Sequence, residues 1–304
     1  MENQQTSVAL GFFDGVHRGH RRVIETAVTL AGDSLIPAVF TFTMNGSGPA
    51  KKKGAGELTT LEQKTELLKA MGIQEIYAPD FSAFCNMSGE EFVQRVLQER
   101  MRAAAVCCGQ DFRFGKGASC DAKALEALCR PYGIACTILE EVLDEGEAVS
   151  STRVRQAIAQ GQVEKAAKLL GRLYCLDFPV AHGKQLGRKL QFPTINQPIP
   201  PQMALPRLGV YATMAQVDGK IYAGVTNIGV RPTVEQGMAP RAETYLIDFS
   251  GDLYGRQVPV SFLSFLRPEQ KFASVELLRD QIAQDAQRAK EIVKNALQSE
   301  KPMV

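Results

Sequence analysis

The feature that most constrains the fold of this chain is a change of pattern near residue 172. Before that point, short apolar runs alternate with segments of helical periodicity. After it, apolar runs follow one another with only tight turns between them. Strands that alternate with helices build parallel sheets, whereas strands joined by tight turns build antiparallel sheets or barrels. We therefore predict two domains, residues 1–172 and 173–304, which agrees with roughly 150 residues per domain in a chain of 304.

The first domain has the pattern of a doubly wound α/β fold. Five apolar runs are predicted strands, at residues 7–12, 35–42, 75–78, 104–108 and 135–142. Thr60 with Gln63, and Ser88 with Glu91, have the spacing of a capping box, which marks the first turn of a helix. Strands and helices in alternation form right-handed β-α-β units, so we predict a doubly wound parallel sheet.

The second domain has the pattern of an antiparallel β-barrel with a terminal helix. Its predicted strands include residues 210–217, 220–225, 243–249 and 258–266. Asp218-Gly219, between the first two of these, is a strong signal for a two-residue hairpin turn. Apolar residues recur every three or four positions from 272 to 297, which predicts an amphipathic helix packed on the barrel.

The composition excludes several classes of protein. With 35 basic and 33 acidic residues, the chain offers no broad cationic surface, and we expect neither nucleic acid nor membrane as a partner. No apolar run approaches the roughly 18 residues of a membrane span, and the N-terminus lacks the basic region of a signal peptide. The seven cysteines include the adjacent Cys107 and Cys108, are otherwise scattered and form no Cys-x-x-Cys pair, which indicates reduced thiols and a cytoplasmic protein. The sequence leaves the oligomeric state open.

A turn with two histidines follows the first predicted strand. It reads Gly11-Phe12-Phe13-Asp14-Gly15-Val16-His17-Arg18-Gly19-His20. The turn lies at the carboxyl edge of the sheet and opens a helix, whose free N–H groups attract phosphate. We predict that His17 and His20 stabilise charge on an α-phosphate and on leaving pyrophosphate; the alternative is that they are ordinary core or surface histidines. The nucleotide-binding candidates in this turn are Gly11, Phe12, Asp14 and Gly19.

A second segment supports phosphate binding in the first domain. Ser151, Thr152 and Arg155 lie where hydroxyls and arginines open a predicted helix. Hydroxyls make short hydrogen bonds and a guanidinium is a bidentate clamp, so we predict contacts with a triphosphate. A plain helix cap with solvated arginines is the alternative. Together with this segment, the His-x-Gly-His motif resembles the nucleotidyltransferase superfamily, which transfers a nucleoside monophosphate from a triphosphate.

The most informative stretch of the second domain is residues 182–196. Gly183 and Gly187 allow the backbone to approach a phosphate closely. Thr194 and Asn196 are neutral oxygen ligands with one residue between them. We expect them not to share a face in an extended chain, and a tight turn after Pro193 would bring both to one Mg²⁺. A simple proline turn without a metal is the alternative.

These segments, in this order, resemble the prokaryotic bifunctional riboflavin kinase/FMN adenylyltransferase (FAD synthetase) family. The resemblance covers nearly the whole chain and rests on residues 11–20, 109–117, 150–155, 187–196, 224–233, 243–249 and 265–269. It implies a nucleotidyltransferase-like first domain that adenylylates FMN to FAD, and a barrel that phosphorylates riboflavin to FMN. ATP would be a substrate of both reactions, and Mg²⁺ the metal.

The resemblance also implies roles for individual residues. His17 and His20 would hold the ATP phosphates in the adenylylation site, and Ser151, Thr152 and Arg155 would contact the same triphosphate. Thr194 and Asn196 would bind Mg²⁺-ATP in the kinase. Glu243, which by itself looks like an ordinary carboxylate opening a strand, would take the proton from the riboflavin 5′-hydroxyl. The flavin-binding residues implied by the resemblance are Asp111, Phe112 and Arg267.

Two departures from the family bear on the first domain. Phe12 stands where the family usually has Asn, and the segment after Phe42 lacks the usual Asp-Pro-His-Pro. Because His17, His20 and Arg155 are present, we expect an active but altered adenylyltransferase. The alternatives are a monofunctional riboflavin kinase with an inactive nucleotide-binding domain, and a flavin- or nucleotide-binding regulator.

Overall fold

The computed structural model describes residues 4–44, 56–183, 192–233 and 237–298. The chain divides into two compact units, Met1–Ser151 and Thr152–Val304. This division falls two helices before residue 172, and we keep 1–172 and 173–304 as a proposal for the two functional domains. Gly187, a predicted nucleotide-binding residue, lies outside the described residues.

The first unit is built on a five-stranded parallel sheet, as predicted. The sheet strands are β1 (Thr6–Leu10), β2 (Ile36–Phe40), β3 (Glu75–Tyr77), β4 (Ala103–Gly109) and β7 (Ala135–Leu139). The helices are α1 (Arg18–Ala31), α2 (Leu61–Ala70), α3 (Gly89–Glu91), which continues as a π-helix over Phe92–Arg100, and α4 (Ala122–Cys129). Short 3₁₀ turns occupy Phe81–Ala83, Lys116–Ala118 and Arg130–Tyr132. Two small hairpins pair β5 (Arg113–Phe114) with β6 (Cys120–Asp121), and β8 (Leu143–Asp144) with β9 (Glu147–Ala148).

Local signals in the sequence set the starts of two helices. Thr60 Oγ1 accepts the backbone N–H of Gln63, and the Gln63 side chain accepts the N–H of Thr60, at 3.2 and 3.0 Å. Ser88 and Glu91 form the same reciprocal pair at 3.1 and 2.9 Å. Both predicted capping boxes are confirmed, because each joins residues only three apart in sequence.

The strand order places the ligand edge of the first unit. The order is β3-β2-β1-β4-β7, with every pair parallel, so the winding direction reverses between β1 and β4. Val8 and Leu10 pack on one face of the sheet and Ala9 on the other, so both faces are covered. In such sheets ligands bind beyond the carboxyl ends of the strands at the point of reversal. The histidine turn leaves β1 there, and the segment after Gly109 leaves β4 there.

The second unit is a curled antiparallel sheet with a long terminal helix, as predicted. The helices α5 (Ser151–Ala159) and α6 (Val163–Leu170) precede its strands β10 (Tyr174–Pro179), β11 (Thr194–Pro198), β12 (Gly209–Val217), β13 (Lys220–Thr233), β14 (Gly237–Leu246) and β15 (Gln257–Arg267). The sheet order is β10-β15-β12-β13-β14-β11, and α7 (Val275–Gln298) follows. Asp218 and Gly219 have φ of 49° and 78°, the two positive values that a type I′ hairpin turn requires, so the predicted hairpin is confirmed.

The two end strands of this sheet, β10 and β11, approach each other and curl it toward a barrel. The N–H of Ala181, just after β10, donates to the carbonyl of Asn196 in β11 at 2.7 Å. The Gln197 side chain, which is fully buried, donates to the carbonyls of Phe178 and Val258 at 2.6 and 2.8 Å. A single side-chain amide therefore ties β11 to β10 and β15.

Two further expectations concern the chain as a whole. Within the described ranges, none of the helices combines the length and the apolar character that a membrane span needs. All seven cysteines are free thiols.

Candidate functional site

The first candidate site is built on the N-terminus of α1. His17 is the N-cap of this helix, and its Nδ1 accepts the backbone N–H of His20 at 3.3 Å. The two imidazoles stack, with ring centroids 3.5 Å apart and planes 19° from parallel. His17 is only 5% exposed. The structure thus brings the two predicted catalytic histidines together at the sheet edge where an anion would bind.

Gly19 makes this stacked pair possible. A Cβ atom at position 19 would lie 3.2–3.3 Å from the imidazole of His17, so a larger residue would push that ring out of place. Gly11 comes directly after β1 and lies against the Phe13 ring, whose other neighbour is His20 at 5.3 Å in an edge-on contact. Small residues at positions 11 and 19 therefore allow rings to pack around the histidine pair.

Asp14 and Ser151 hold the histidine turn against neighbouring segments. The buried Asp14 carboxylate accepts the N–H groups of Leu58 and Thr59 at 2.9 and 3.3 Å. Ser151 Oγ donates to the Asp14 carbonyl at 2.9 Å. The structure therefore gives both residues a positioning contact, and their binding to nucleotide stays a prediction. Thr152 and Arg155 follow in the first two turns of α5, and their predicted contacts with triphosphate are likewise untested.

Lys64 is a site residue that our sequence reasoning missed. It is only 4% exposed, and its Nζ donates to the Phe12 carbonyl at 2.9 Å and to Thr41 Oγ1 at 3.2 Å. Nζ also lies 4.5 Å from the centroid of the Phe12 ring. One signal was available, since Lys64 comes four residues before the buried Leu68 and therefore lies on the buried face of α2.

Aromatic rings line the same edge of the sheet. The ring centroids of Phe12 and Phe42 are 4.7 Å apart, and those of Phe42 and Phe84 are 5.4 Å apart. At the end of β4, the half-buried Phe112 stacks on Phe114 at 5.7 Å, next to an exposed Asp111. The two predicted flavin-binding residues of this unit therefore lie beyond the same reversal point as the histidines, where planar rings offer a surface for another planar ring.

The second candidate site is on β11 and β14. Our expectation that Thr194 and Asn196 fall on different faces was wrong. Both belong to the strand Thr194–Pro198, where side chains two residues apart share a face without a tight turn. They line one cavity of about 330 Å³ together with Gly183. A Cβ atom on Gly183 would lie 2.5 Å from the Asn196 amide, so only glycine fits beside this side chain.

Glu243 is also placed differently from our expectation. It does not open a strand but lies within β14, opposite Asn196 on β11 and Asn227 on β13. Directly opposed residues of antiparallel strands point to the same face, with Cβ atoms about 5 Å apart. The register therefore puts the predicted base beside the predicted metal ligands. Glu243 lines a second cavity of about 150 Å³.

Arg267, predicted to bind flavin, takes part in a contact within the fold. Its Nε and Nη2 both donate to the carboxylate of Asp285 on α7, at 3.0 and 2.8 Å. Asp285 is 5% exposed, so this is a largely buried ion pair that ties the end of β15 to the terminal helix. A flavin contact of Arg267 stays a prediction.

Comparison with known proteins assigns both units. Residues 1–153 match the FAD synthetase domain family, and residues 170–293 match the riboflavin kinase domain family. The bifunctional riboflavin kinase/FMN adenylyltransferase of Listeria monocytogenes is 35% identical over 92% of this chain and 90% of its own length. The chain belongs to the bifunctional riboflavin kinase/FMN adenylyltransferase family. It thus carries an FAD synthetase domain and a riboflavin kinase domain, as the sequence blocks implied.

Other known proteins are similar over the same length. The Escherichia coli K12 enzyme of the same name is 35% identical over 93% of this chain and 91% of its own. A Streptococcus pneumoniae crystal structure, described as a macrolide-efflux protein, superposes with a TM-score of 0.84 at 31% identity and covers 95% of both chains. The match to both domain families favours a bifunctional enzyme over a kinase with an inactive partner domain.

Proposed function

We propose that the chain phosphorylates riboflavin with ATP in residues 173–304 and adenylylates the resulting FMN with a second ATP in residues 1–172. The observation that carries this proposal is that each unit assembles its own set of chemical groups. The first unit holds the stacked His17 and His20 at the sheet reversal point. The second holds Glu243 directly opposite Asn196.

In the kinase reaction, Glu243 is the general base. Its carboxylate accepts the proton of the riboflavin 5′-hydroxyl while that oxygen bonds to the γ-phosphorus of ATP. The bond between the γ-phosphorus and the β,γ-bridging oxygen breaks, and ADP leaves. Gly183 lets the backbone lie close to the phosphates, beside the Asn196 side chain that it contacts.

A Mg²⁺ ion fits the oxygen donors of the kinase site. The Thr194 hydroxyl and the Asn196 amide oxygen share one face, and both are neutral oxygen donors of the kind that Mg²⁺ accepts alongside water and phosphate oxygens. When bound, Mg²⁺ neutralises charge on the ATP phosphates.

In the adenylylation reaction, the histidine pair stabilises charge. A phosphate oxygen of FMN attacks the α-phosphorus of ATP, and the bond to the α,β-bridging oxygen breaks to release pyrophosphate. Because Nδ1 of His17 accepts the N–H of His20, a neutral His17 carries its proton on Nε2 and presents it as a donor. Ser151, Thr152 and Arg155 would hold the rest of the triphosphate, and Asp111 and Phe112 the flavin.

The proposal also places these reactions in the cytoplasm. The seven free cysteines support this, because a reducing compartment keeps thiols unpaired.

The test is a chromatographic assay of riboflavin, FMN and FAD over time with ATP and Mg²⁺. Wild type should convert riboflavin to FMN and then to FAD. Glu243→Gln should stop the first step and leave FAD formation from supplied FMN intact, and His17→Asn should do the reverse. Glu276→Gln, which removes an exposed carboxylate from α7, is the matched control.

Two outcomes would contradict the proposal. Accumulation of FMN without FAD in the wild type would mean that the first unit binds nucleotide without turnover. Full kinase activity in Glu243→Gln would remove the base assignment.

A further inference from the structure

An arginine that is not part of the reaction scheme above lies in the same cavity as Glu243. The cavity is lined by Asn227, Gly229, Val230, Arg241, Glu243 and Glu269. Arg241 and Glu243 are two residues apart on β14, so both side chains leave the same face of the strand. Arg241 is opposite Gly229, and a Cβ atom at position 229 would lie 2.8 Å from Glu269 Oε1, so the glycine makes room for that carboxylate in the cavity.

The guanidinium of Arg241 has N–H donors without a hydrogen-bond partner in the described structure. Within the part of the chain that the structure describes, the Arg241 side chain makes no hydrogen bond and no ion pair, and its Nε is buried. A guanidinium carries five N–H donors, and a buried donor without a partner is costly. Buried donors in native proteins are nearly always hydrogen-bonded, so we expect a ligand in the cavity to accept from the Arg241 guanidinium.

The other polar groups of the cavity are mainly acceptors. Glu269 accepts the Asn227 side-chain N–H at 3.0 Å through one oxygen, and Glu243 adds a second carboxylate. A cavity with a donor-rich guanidinium and two carboxylates matches a chain of hydroxyl groups, because each hydroxyl both donates and accepts. A phosphate would be repelled by the carboxylates.

The strand register gives the position of Arg241 relative to Thr194 and Glu243. Along β14, Tyr245 is opposite Thr194, Glu243 is opposite Asn196, and Arg241 is opposite Pro198. Arg241 is therefore four residues from the Thr194 row, roughly 13 Å along an extended strand, with Glu243 between them. A nucleotide bound at Thr194 and a phosphate-accepting substrate bound at Arg241 would therefore meet at Glu243, the proposed base.

We propose that Arg241 binds the ribityl chain of riboflavin and thereby determines that the kinase accepts a flavin carrying a polyol. This inference rests on the proposed role of Glu243 as the base of the kinase reaction. Glu269 accepts from the same chain on the other side of the cavity. Arg241 is a substrate-binding residue and takes no part in proton transfer.

The test compares two flavins in binding titrations followed by quenching of flavin fluorescence. Riboflavin carries the ribityl chain, whereas lumiflavin has a methyl group in its place. Arg241→Met should weaken riboflavin binding roughly tenfold to hundredfold and change lumiflavin binding by less than about twofold. Arg241→Lys, which keeps the charge but loses the planar fork, should fall between wild type and Arg241→Met.

Steady-state kinetics supply a second readout and the controls. In Arg241→Met the KM for riboflavin should rise with the KM for ATP unchanged, and FAD formation from supplied FMN should match the wild type. Arg256→Met is the matched control, because Arg256 is an exposed arginine directly before β15 that pairs with Asp218. Its riboflavin affinity should equal that of the wild type.

The outcomes separate this inference from the proposed function. If Arg241→Met weakens riboflavin and lumiflavin equally, or lowers kcat with the KM for riboflavin unchanged, the ribityl contact is wrong. If Arg241→Met retains wild-type riboflavin affinity, the inference fails while the kinase assignment stands. If the wild type phosphorylates no riboflavin, or Glu243→Gln is fully active, the proposed function itself fails.

Discussion

At the scale of single residues, one residue in each site positions a neighbouring functional group. Lys64 fixes the Phe12 carbonyl and the Thr41 hydroxyl from within the core of the first unit. Gly183 leaves room for the Asn196 side chain in the second. Neither residue supplies a reacting group, yet each decides where a neighbouring functional group lies.

Replacement of Lys64 tests the first of these contacts. In Lys64→Met the Phe12 carbonyl keeps its hydrogen bond from Thr41 Oγ1, but it and the buried Thr41 oxygen both lose the ammonium donor. We therefore expect adenylylation kcat/KM to fall roughly tenfold and the free energy of unfolding to fall by about 1–3 kcal/mol. Kinase activity should not change. Lys69→Met, at an exposed position of the same helix, is the control. Unchanged adenylylation in Lys64→Met would show that the Phe12 turn holds its shape without the lysine.

Replacement of Gly183 tests the second contact. In Gly183→Ala the new methyl group would meet the Asn196 amide, so this side chain must turn away from Thr194. Displacement of a positioning group by about 1 Å typically costs roughly a hundredfold in rate, and we expect a loss of roughly tenfold to hundredfold in the kinase reaction. Initial rates of FMN formation measure it, and FAD formation from supplied FMN is the internal control. A kinase rate within about twofold of wild type would argue against Asn196 as a ligand.

At the scale of elements, the kinase site depends on how β11 is held. This strand carries Thr194 and Asn196 and lies at the edge of the sheet, paired with β14 on one side. On the other side, the Gln197 side chain donates to β10 and β15. A buried amide thus replaces the strand pairing that a fully closed barrel would have.

Loss of the Gln197 amide should loosen this edge. Gln197→Leu keeps a side chain of similar size but leaves the carbonyls of Phe178 and Val258 without their donor, so we expect the free energy of unfolding of the second unit to fall by about 1–3 kcal/mol. The KM for ATP should rise because the strand that carries Thr194 shifts. Urea denaturation and kinase assays measure both effects. Gln216→Leu, at an exposed position on β12, is the control, and equal behaviour of the two variants would contradict the closure role.

At the scale of the whole molecule, the buried thiols of the first unit make its stability depend on alkaline pH. Burial raises the pKa of the Cys107 and Cys108 thiols from 9.0 to about 12, and that of Cys129 also to about 12. Three fully buried thiols of this unit therefore stay protonated at a pH where the unfolded chain would ionise them.

The sign of the pH dependence follows from these values. Between pH 9 and 12 the folded state binds more protons than the unfolded state, so the free energy of unfolding falls as pH rises. Each thiol contributes about 1.4 kcal/mol per pH unit in that window. Urea denaturation under reducing conditions at pH 8 and pH 10 should show this loss, and Cys108→Val should reduce the slope. Cys85→Ser removes a partly exposed thiol as a control. An identical slope in Cys108→Val would contradict the assignment.

The sequence by itself determined the features that depend on neighbouring residues and on order along the chain. The capping boxes at Thr60 and Ser88 and the Asp218-Gly219 turn all correspond to elements of the structure. Such signals survive in the sequence because each joins residues only a few positions apart. The ordered blocks likewise indicated the family that the domain matches show.

Only the tertiary structure decided which distant residues meet. The register of β11 on β14 puts Glu243 opposite Asn196, and helix packing directs Lys64 to the Phe12 carbonyl, 52 residues away. Sequence reasoning placed Glu243 at a strand end and Thr194 and Asn196 on different faces, because strand bounds and pairing are set by contacts across the sheet. Local periodicity selects the elements, but cross-strand hydrogen bonds and burial select their partners, and those partners form the two sites.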